Sequence, residues 1–216
     1  MLETGLGTVL MGGLALAVAG LIGWRWWRRA GQQGLLAAWS RFARQHDLDF
    51  VAGSLQVGDK PPQVYGLYQG RGVNVTLGES LAVGPQTQRY ELTKVMVALK
   101  GNVGSGRFWL VQDGKLSTPF REVRQPNAAV VTVPGLDGAL TMSAPEDLLG
   151  RLWVDETLRA RVKAVQALAG FVGLMVQSQS VYALVVGSRS SEAELAELLD
   201  RVSEVAAVLE ARWAKV

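Results

Sequence analysis

The sequence predicts an α+β fold, in which one N-terminal transmembrane helix precedes a single domain of antiparallel β-sheet packed with amphipathic helices. Three observations support this prediction. Residues 4–24 form an uncharged apolar run, apolar and polar residues alternate along several segments between 64 and 143, and apolar residues recur at helical spacing toward the C-terminus. Alternation is typical of strands, so we expect about six to eight strands and a long C-terminal helix.

Length and composition limit the organisation of the chain. With 216 residues and 49% hydrophobic content, it is long enough for one domain with a core and for an anchor. We therefore expect an anchor in residues 1–30 and a soluble α+β domain in residues 31–216. The sequence contains no cysteine, which excludes disulfides, thiolate metal sites and cysteine nucleophiles.

The net charge of +3 is concentrated in the anchor. Glu3, Arg25, Arg28 and Arg29 are the charged residues of positions 1–30 and supply +2, which leaves +1 for the rest of the chain. A nucleic-acid-binding domain would carry a strong positive charge of its own. The sequence therefore predicts no nucleic-acid partner.

The apolar run 4–24 is expected to cross a membrane. At ~1.5 Å rise per residue, a helix of this length spans roughly the ~30 Å hydrocarbon core of a bilayer. A cleaved signal peptide begins with positive residues, whereas this chain begins MLET. Bulky residues rather than a small-residue cleavage site follow the run. We therefore expect a retained signal anchor that crosses the membrane once.

A cluster of tryptophans and arginines, which we call the collar, follows the apolar run. Indole rings suit the headgroup region, and arginines close to the end of a membrane helix mark the cytoplasmic side. The collar predicts an N-terminus outside, a cytoplasmic domain and membrane lipid as a direct partner. The predicted membrane-interface residues are Trp24, Arg25, Trp26, Trp27, Arg28 and Arg29.

The predicted membrane helix carries small residues four positions apart. Gly13 pairs with Ala17, Ala15 with Ala19, and Ala19 with Gly23. Such spacing permits close helix packing, which would mean self-association or docking against another membrane protein. The alternative is that glycine and alanine are simply common in membrane helices. The sequence leaves both interpretations open.

An amphipathic helix is predicted at residues 33–46, where Leu35, Trp39 and Phe42 recur at helical spacing. Its apolar side is expected to lie in the core, and an interfacial membrane helix is the alternative. The linker through Gly31 and Gly34 is too short to hold the domain far from the lipid surface.

Strand patterns begin after this helix. Residues 64–79 predict a hairpin around the turn QGRG, with Val73, Val75 and Leu77 on one face. Turn residues separate the strands that follow, including Pro-Gly and Asp-Gly pairs in PGLDG. These further strands are expected at 90–100, 107–112, 128–133 and 139–143.

Capping signals predict the later helices. Ser143 and Glu146 have capping-box spacing and predict a short helix, Asp155 is expected to cap the next one, and Ser191 with Glu194 predicts the start of a long C-terminal helix. The apolar stripe of that last helix is expected to pack across the sheet, with a coiled coil as the alternative. The stripe comprises Leu195, Leu198, Val202, Val205, Leu209 and Trp213.

Residues 164–188 form a second stretch without charge. A second membrane span would place the polar residues 177–180 near the bilayer centre, where they are costly without partners. A β-hairpin places the same residues in a solvated turn. The sequence therefore favours a hairpin, FVGLMVQ paired with VYALVVG.

The sequence shows no catalytic constellation. His46 is the single histidine, and with Asp47 and Asp49 beside it the group falls short of the ligand sets that zinc sites use. The spacings of a nucleophile elbow and of a phosphate loop are absent. Acidic pairs fall in predicted first helical turns, where they complement the helix dipole. We expect no enzyme activity, no catalytic residue, no cofactor and no metal.

Basic residues outnumber acidic ones between 89 and 124, so one face of the sheet is expected to be mildly positive. Such a face would contact anionic lipid or a partner, or it would be a solvated surface of mixed charge. The basic residues are Arg89, Lys94, Lys100, Arg107, Lys115, Arg121 and Arg124.

The order of segments resembles uncharacterised bacterial proteins that join a hydrophobic N-terminus to a domain of unknown function. Residues 39–50, 65–75, 93–99 and 140–153 carry this resemblance, together with the last hairpin and helix. The resemblance implies a membrane-associated bacterial protein and implies no activity. Together with the predicted anchor, it leads us to expect the bacterial inner (plasma) membrane.

These observations lead to two functional hypotheses. The first is a single-pass, membrane-anchored, non-enzymatic binding or scaffolding protein, such as an accessory subunit of an inner-membrane complex, whose partners are other membrane proteins or a second copy of itself. The alternative is a membrane-tethered domain that binds a lipid or another small apolar ligand in a cup between sheet and helices.

Overall fold

The computed structural model describes residues 33–53, 60–83, 88–101, 108–112, 140–143, 155–177 and 179–213. These ranges contain three helices and eight strands. The helices are α1 (33–45), α2 (Glu156–Gln166) and α3 (Glu192–Trp213). The strands are β1 (Asp49–Val51), β2 (Gln63–Tyr68), β3 (Arg71–Val83), β4 (Gln88–Ala98), β5 (Phe108–Gln112), β6 (Leu140–Ser143), β7 (Phe171–Gln177) and β8 (Ser180–Val186).

Several predicted features lie outside the described residues. They are the apolar run 4–24, its small-residue positions, the collar, the strand at 128–133 and the short helix after Ser143. In the ranges that the structure does describe, none of the helices combines the length and the apolarity needed to cross a bilayer.

The described strands form one sheet in the order β1-β2-β3-β4-β8-β7-β5-β6. Each ladder between neighbouring strands is antiparallel. The predicted α+β architecture, an antiparallel sheet packed with helices that include a long C-terminal one, is therefore confirmed. The last hairpin, β7–β8, lies in the interior of the sheet and separates β4 from β5.

The two faces of the sheet differ because side chains alternate along a strand. One face, which we call the inner face, carries the apolar residues that pack against the helices. Its central row crosses six strands in register, and nearly all of its side chains are fully buried. This row comprises Phe50, Val64, Val75, Val95, Ala183 and Leu174.

Helix α1 belongs to the core. Trp39 and Phe42 are both 0% exposed, and the Trp39 indole N–H donates a hydrogen bond of 2.7 Å to the backbone carbonyl of Arg189. A buried indole needs such an acceptor. The core interpretation of this helix is confirmed, since neither ring is available to lipid headgroups.

Helix α3 begins with the predicted capping box. The hydroxyl of Ser191 accepts from the backbone N–H of Glu194 at 3.2 Å, and the Glu194 carboxylate accepts from the N–H of Ser191 at 3.1 Å. Each bond satisfies a donor that the first helical turn leaves free. The apolar stripe of α3 is buried through Leu209, and the helix lies over β4 and β8.

Helix α2 and the last hairpin also follow the sequence pattern. Asp155 caps α2 by accepting from the Leu158 N–H at 3.1 Å. Strands β7 and β8 form an antiparallel ladder whose first pair beside the turn is Gln177 and Ser180. The uncharged stretch 164–188 therefore contains the end of α2 and the predicted hairpin.

Candidate functional site

The single histidine packs against aromatic rings. His46 follows α1 and is exposed, with its ring centroid 4.6 Å from that of Phe42 and 5.2 Å from that of Tyr68. Within the ranges that the structure describes, no group of three acidic or histidine side chains is arranged to hold a metal ion. Tilted and edge-on packing against Phe42 and Tyr68 therefore accounts for the position of His46.

A set of polar contacts that the sequence did not predict attaches the β2–β3 turn to α3. Asp200 accepts hydrogen bonds of 2.8 Å from the Tyr68 hydroxyl and from the Gln69 side-chain amide. Glu210 accepts from both terminal nitrogens of Arg71, one of them at 2.7 Å, and from the Lys100 backbone N–H. We call these contacts the turn clamp.

The turn clamp shifts the pKa values of Tyr68 and Glu210. Burial raises the pKa of Tyr68 to about 12, and the neighbouring Asp200 carboxylate adds to this shift. Burial acts to raise the pKa of Glu210 as well, but the hydrogen bonds and charges of Arg71 and Lys100 outweigh it and hold that pKa below its usual value. Tyr68 and Glu210 are therefore both engaged in contacts between α3 and the sheet.

The sheet face opposite the helices, which we call the outer face, is half-exposed. Its central row, in register across six strands, comprises Asp49, Tyr65, Asn74, Met96, Tyr182 and Met175. Tyr65 is 38% exposed, and Leu67, next on the same side of β2, is 71% exposed. Exposed large apolar side chains on one face are typical of an interaction surface.

The outer face divides into a polar zone and an apolar zone. The polar zone lies on β2, β3 and β4 and comprises Gln63, Asn74, Thr76 and Lys94, and the exposed Tyr65 and Leu67 lie beside it on β2. The apolar zone lies on β4, β8 and β7 and comprises Met96, Tyr182, Leu184 and Met175. Leu184 also packs with buried Leu92 and Val172 in an apolar cluster separate from the main core.

Lys94 lies on the boundary between the two zones. Its side chain is exposed, and its ammonium nitrogen is 5.2 Å from the centroid of the Tyr182 ring. Among the described residues it has no carboxylate partner. Of the basic residues expected to give a positive sheet, Lys94 and Lys100 are those whose side chains the structure describes, and both are exposed.

Comparisons with known proteins give one informative result. No protein-family model matches this chain, and no curated protein matches its sequence. Among solved structures, the crystal structure of the mycobacterial trehalose monomycolate transport factor A, TtfA, is similar, with a TM-score of 0.59 and 15% sequence identity. The match covers 82% of this chain and 94% of that chain. At this identity the likeness concerns the fold alone.

Proposed function

We propose that this chain is a membrane-anchored, non-enzymatic accessory protein of lipid transport in a bacterial inner membrane. The observation that carries the proposal is the structural likeness, over most of both chains, to a mycobacterial factor for trehalose monomycolate transport. Because a fold can host several functions, the proposal also depends on what the surface and the sequence offer.

The contacts of the titratable side chains that the structure describes favour an accessory role. His46 packs against aromatic rings, Glu210 pairs with Arg71, and Asp200 accepts from Tyr68. A catalytic acid or base needs a titratable group within reach of a substrate. The described carboxylates with shifted pKa values instead pair with arginine or cap a helix.

The sequence before the domain supports membrane anchoring. The apolar run 4–24 and the collar have the length and the interfacial residues of a transmembrane helix. Residue 33 is already helical, so few residues separate the collar from the domain, which would sit close to the lipid surface.

The alternative function, a lipid held in a cup between sheet and helices, is less well supported. Trp39, Phe42, Leu158, Leu195 and Leu198 fill the space between the helices and the inner face, and each is at most 1% exposed. Close packing of these side chains leaves little space for an acyl chain among them. Among the described residues, the outer face is the better candidate for a lipid site.

Co-purification of the full chain from native membranes in mild detergent tests the proposal. We expect membrane proteins of a lipid-export complex to accompany the chain, and export of a lipid to the outer leaflet to fall when the chain is removed. A variant with Gly13→Leu and Ala17→Leu probes whether the small-residue positions hold a partner. A strictly monomeric chain whose removal leaves lipid export unchanged would overturn the proposal.

Orientation is tested independently, because the chain contains no cysteine. A single cysteine at exposed Leu67 provides a unique label in the domain. We expect a membrane-impermeant maleimide to label it in opened cells and not in intact cells. Labelling in intact cells would place the domain outside and contradict the predicted topology.

A further inference from the structure

We propose that the outer face binds a single anionic phospholipid molecule, with its phosphate against Lys94 and its acyl chains over the apolar zone. The inference rests on the proposed role in lipid transport and names the ligand class for it. It is drawn from the division of the outer face into zones, from the position of Lys94 between them, and from the partial exposure of the apolar side chains.

The arrangement of the zones matches an amphiphile. Neighbouring strands are ~4.8 Å apart, so the apolar zone on β4, β8 and β7 extends roughly 10 Å across the sheet, and a hydrocarbon chain can lie along it. Met96, Tyr182 and Met175 stand in register on these three strands, and each is partly exposed. Burying such side chains under an acyl chain removes apolar surface from water.

Lys94 supplies the charge that such a ligand requires. Its exposed ammonium group lies beside the Tyr182 ring, and it lacks a carboxylate partner among the described residues. A phosphate oxygen would satisfy it. Asp49, an acidic residue of the same face, lies on β1, three strands from Lys94, so its charge is well separated from the proposed phosphate site.

Asn74, in the polar zone, is a second polar side chain that a ligand could contact. Its side-chain oxygen is buried, and no donor among the described residues reaches it. A buried acceptor without a donor is unfavourable. Asn74 and Thr76 lie on β3 beside β4, and Thr76 faces Lys94 directly. Rotation of the Asn74 amide toward the outer face would bring this oxygen to a hydroxyl or ammonium group of a phospholipid headgroup whose phosphate stays near Lys94.

An acidic peptide is a second ligand that would meet Lys94. The outer face favours a lipid because its remaining side chains, Met96, Tyr182, Leu184 and Met175, offer a broad apolar surface beside one cation. An acidic peptide would be better matched by several cations. Competition between acidic peptide and unlabelled phosphatidylglycerol separates the two ligand classes.

Photo-crosslinking of the detergent-solubilised full chain tests the site. The probes are phosphatidylglycerol and phosphatidylcholine that carry the same photoreactive group near the end of one acyl chain, and adducts are mapped by peptide mass spectrometry. We expect phosphatidylglycerol adducts in β4, β8 and β7. Lys94→Gln should lower their yield about fivefold, as expected for one basic residue at an anionic headgroup.

Arg44→Gln is the matched control, because it removes one exposed cation from α1 on the opposite side of the sheet. It should leave the yield unchanged. Three results would each overturn the inference. The first is equal labelling by both lipids that does not change in Lys94→Gln, and the second is a set of adducts confined to residues 1–30. The third is displacement of the probe by acidic peptide but not by unlabelled phosphatidylglycerol. If partners still co-purify in that case, the accessory function stands and the lipid site alone is rejected.

Discussion

The hydroxyl of Tyr68 lies 2.8 Å from a carboxylate oxygen of Asp200, 132 residues further along the chain. This hydrogen bond joins the end of β2 to the middle of α3 and belongs to the turn clamp. Tyr68 is 5% exposed and belongs to the core. The hydrogen bond therefore joins two elements that already pack against each other.

The Tyr68–Asp200 contact predicts a loss of stability at high pH. The pKa of Tyr68 in the folded chain is raised from 10.0 to about 12, so its contribution to stability is fully present below pH 10 and is lost as the pH rises toward about 12. Urea unfolding of the full chain in detergent should show this decline. In Tyr68→Phe the decline should be smaller, whereas Tyr65→Phe, at an exposed position on the same strand, should behave like the unmodified chain.

The Arg71–Glu210 pair is expected to contribute to stability because both side chains are largely buried, 10% and 15% exposed. A double-mutant cycle with Arg71→Met and Glu210→Gln should give a coupling free energy of about 2 kcal/mol. The same cycle on Arg161 and Glu204, which are 47% exposed each, should give below about 0.5 kcal/mol. Equal coupling in the two cycles would contradict the importance of burial.

Low pH should weaken the turn clamp. The pKa of Glu210 is held below its usual value of 4.5, against the opposing effect of burial, by hydrogen bonds from Arg71 and Lys100. A lowered pKa contributes stability above the unfolded-state value, and this contribution is lost as the pH falls through the folded-state value. The free energy of unfolding should therefore fall below pH 4.5, and the fall should be smaller in Glu210→Gln. The prediction would be contradicted if the free energy of unfolding fell equally below pH 4.5 in the unmodified chain and in Glu210→Gln.

Gly170 is expected to tolerate no side chain. Its φ is +72°, and a Cβ there would lie 2.6 Å from the backbone oxygen of Val186. Gly170→Ala should lower the free energy of unfolding by more than about 1 kcal/mol, because strain and a backbone clash combine. Gly34→Ala is the control, since a Cβ at Gly34 meets nothing within 4 Å and alanine favours the α1 helix. The midpoint temperature of thermal unfolding should fall in Gly170→Ala and rise in Gly34→Ala.

Local signals predicted most elements of the fold. The start of α3 was predictable because Ser191 and Glu194 stand three residues apart and satisfy each other's backbone. The β2–β3 hairpin was predictable because apolar residues alternate on both sides of a glycine-containing turn. Each of these signals depends on residues close together in sequence.

The sheet order and the turn clamp were not predictable from local pattern. Thr93 pairs with Val185 across the β4–β8 ladder, and nothing near either residue specifies the other. Asp200 and Glu210 have the appearance of ordinary solvent-facing acids on a helix. Their partners Tyr68 and Arg71 become visible only when α3 lies over the sheet. The zones of the outer face likewise depend on the strand register, which the sequence pattern leaves open.

The position of the last hairpin constrains how the chain folds during synthesis. Strands β1–β4 leave the ribosome with the free side of β4 awaiting β8, which begins at Ser180, 82 residues after β4 ends at Ala98. A nascent β4 therefore presents an unpaired edge until β8 has been made, and such edges are prone to aggregation. Premature stop codons before residue 180 should yield insoluble products, because every shortened chain lacks the strand that closes the middle of the sheet.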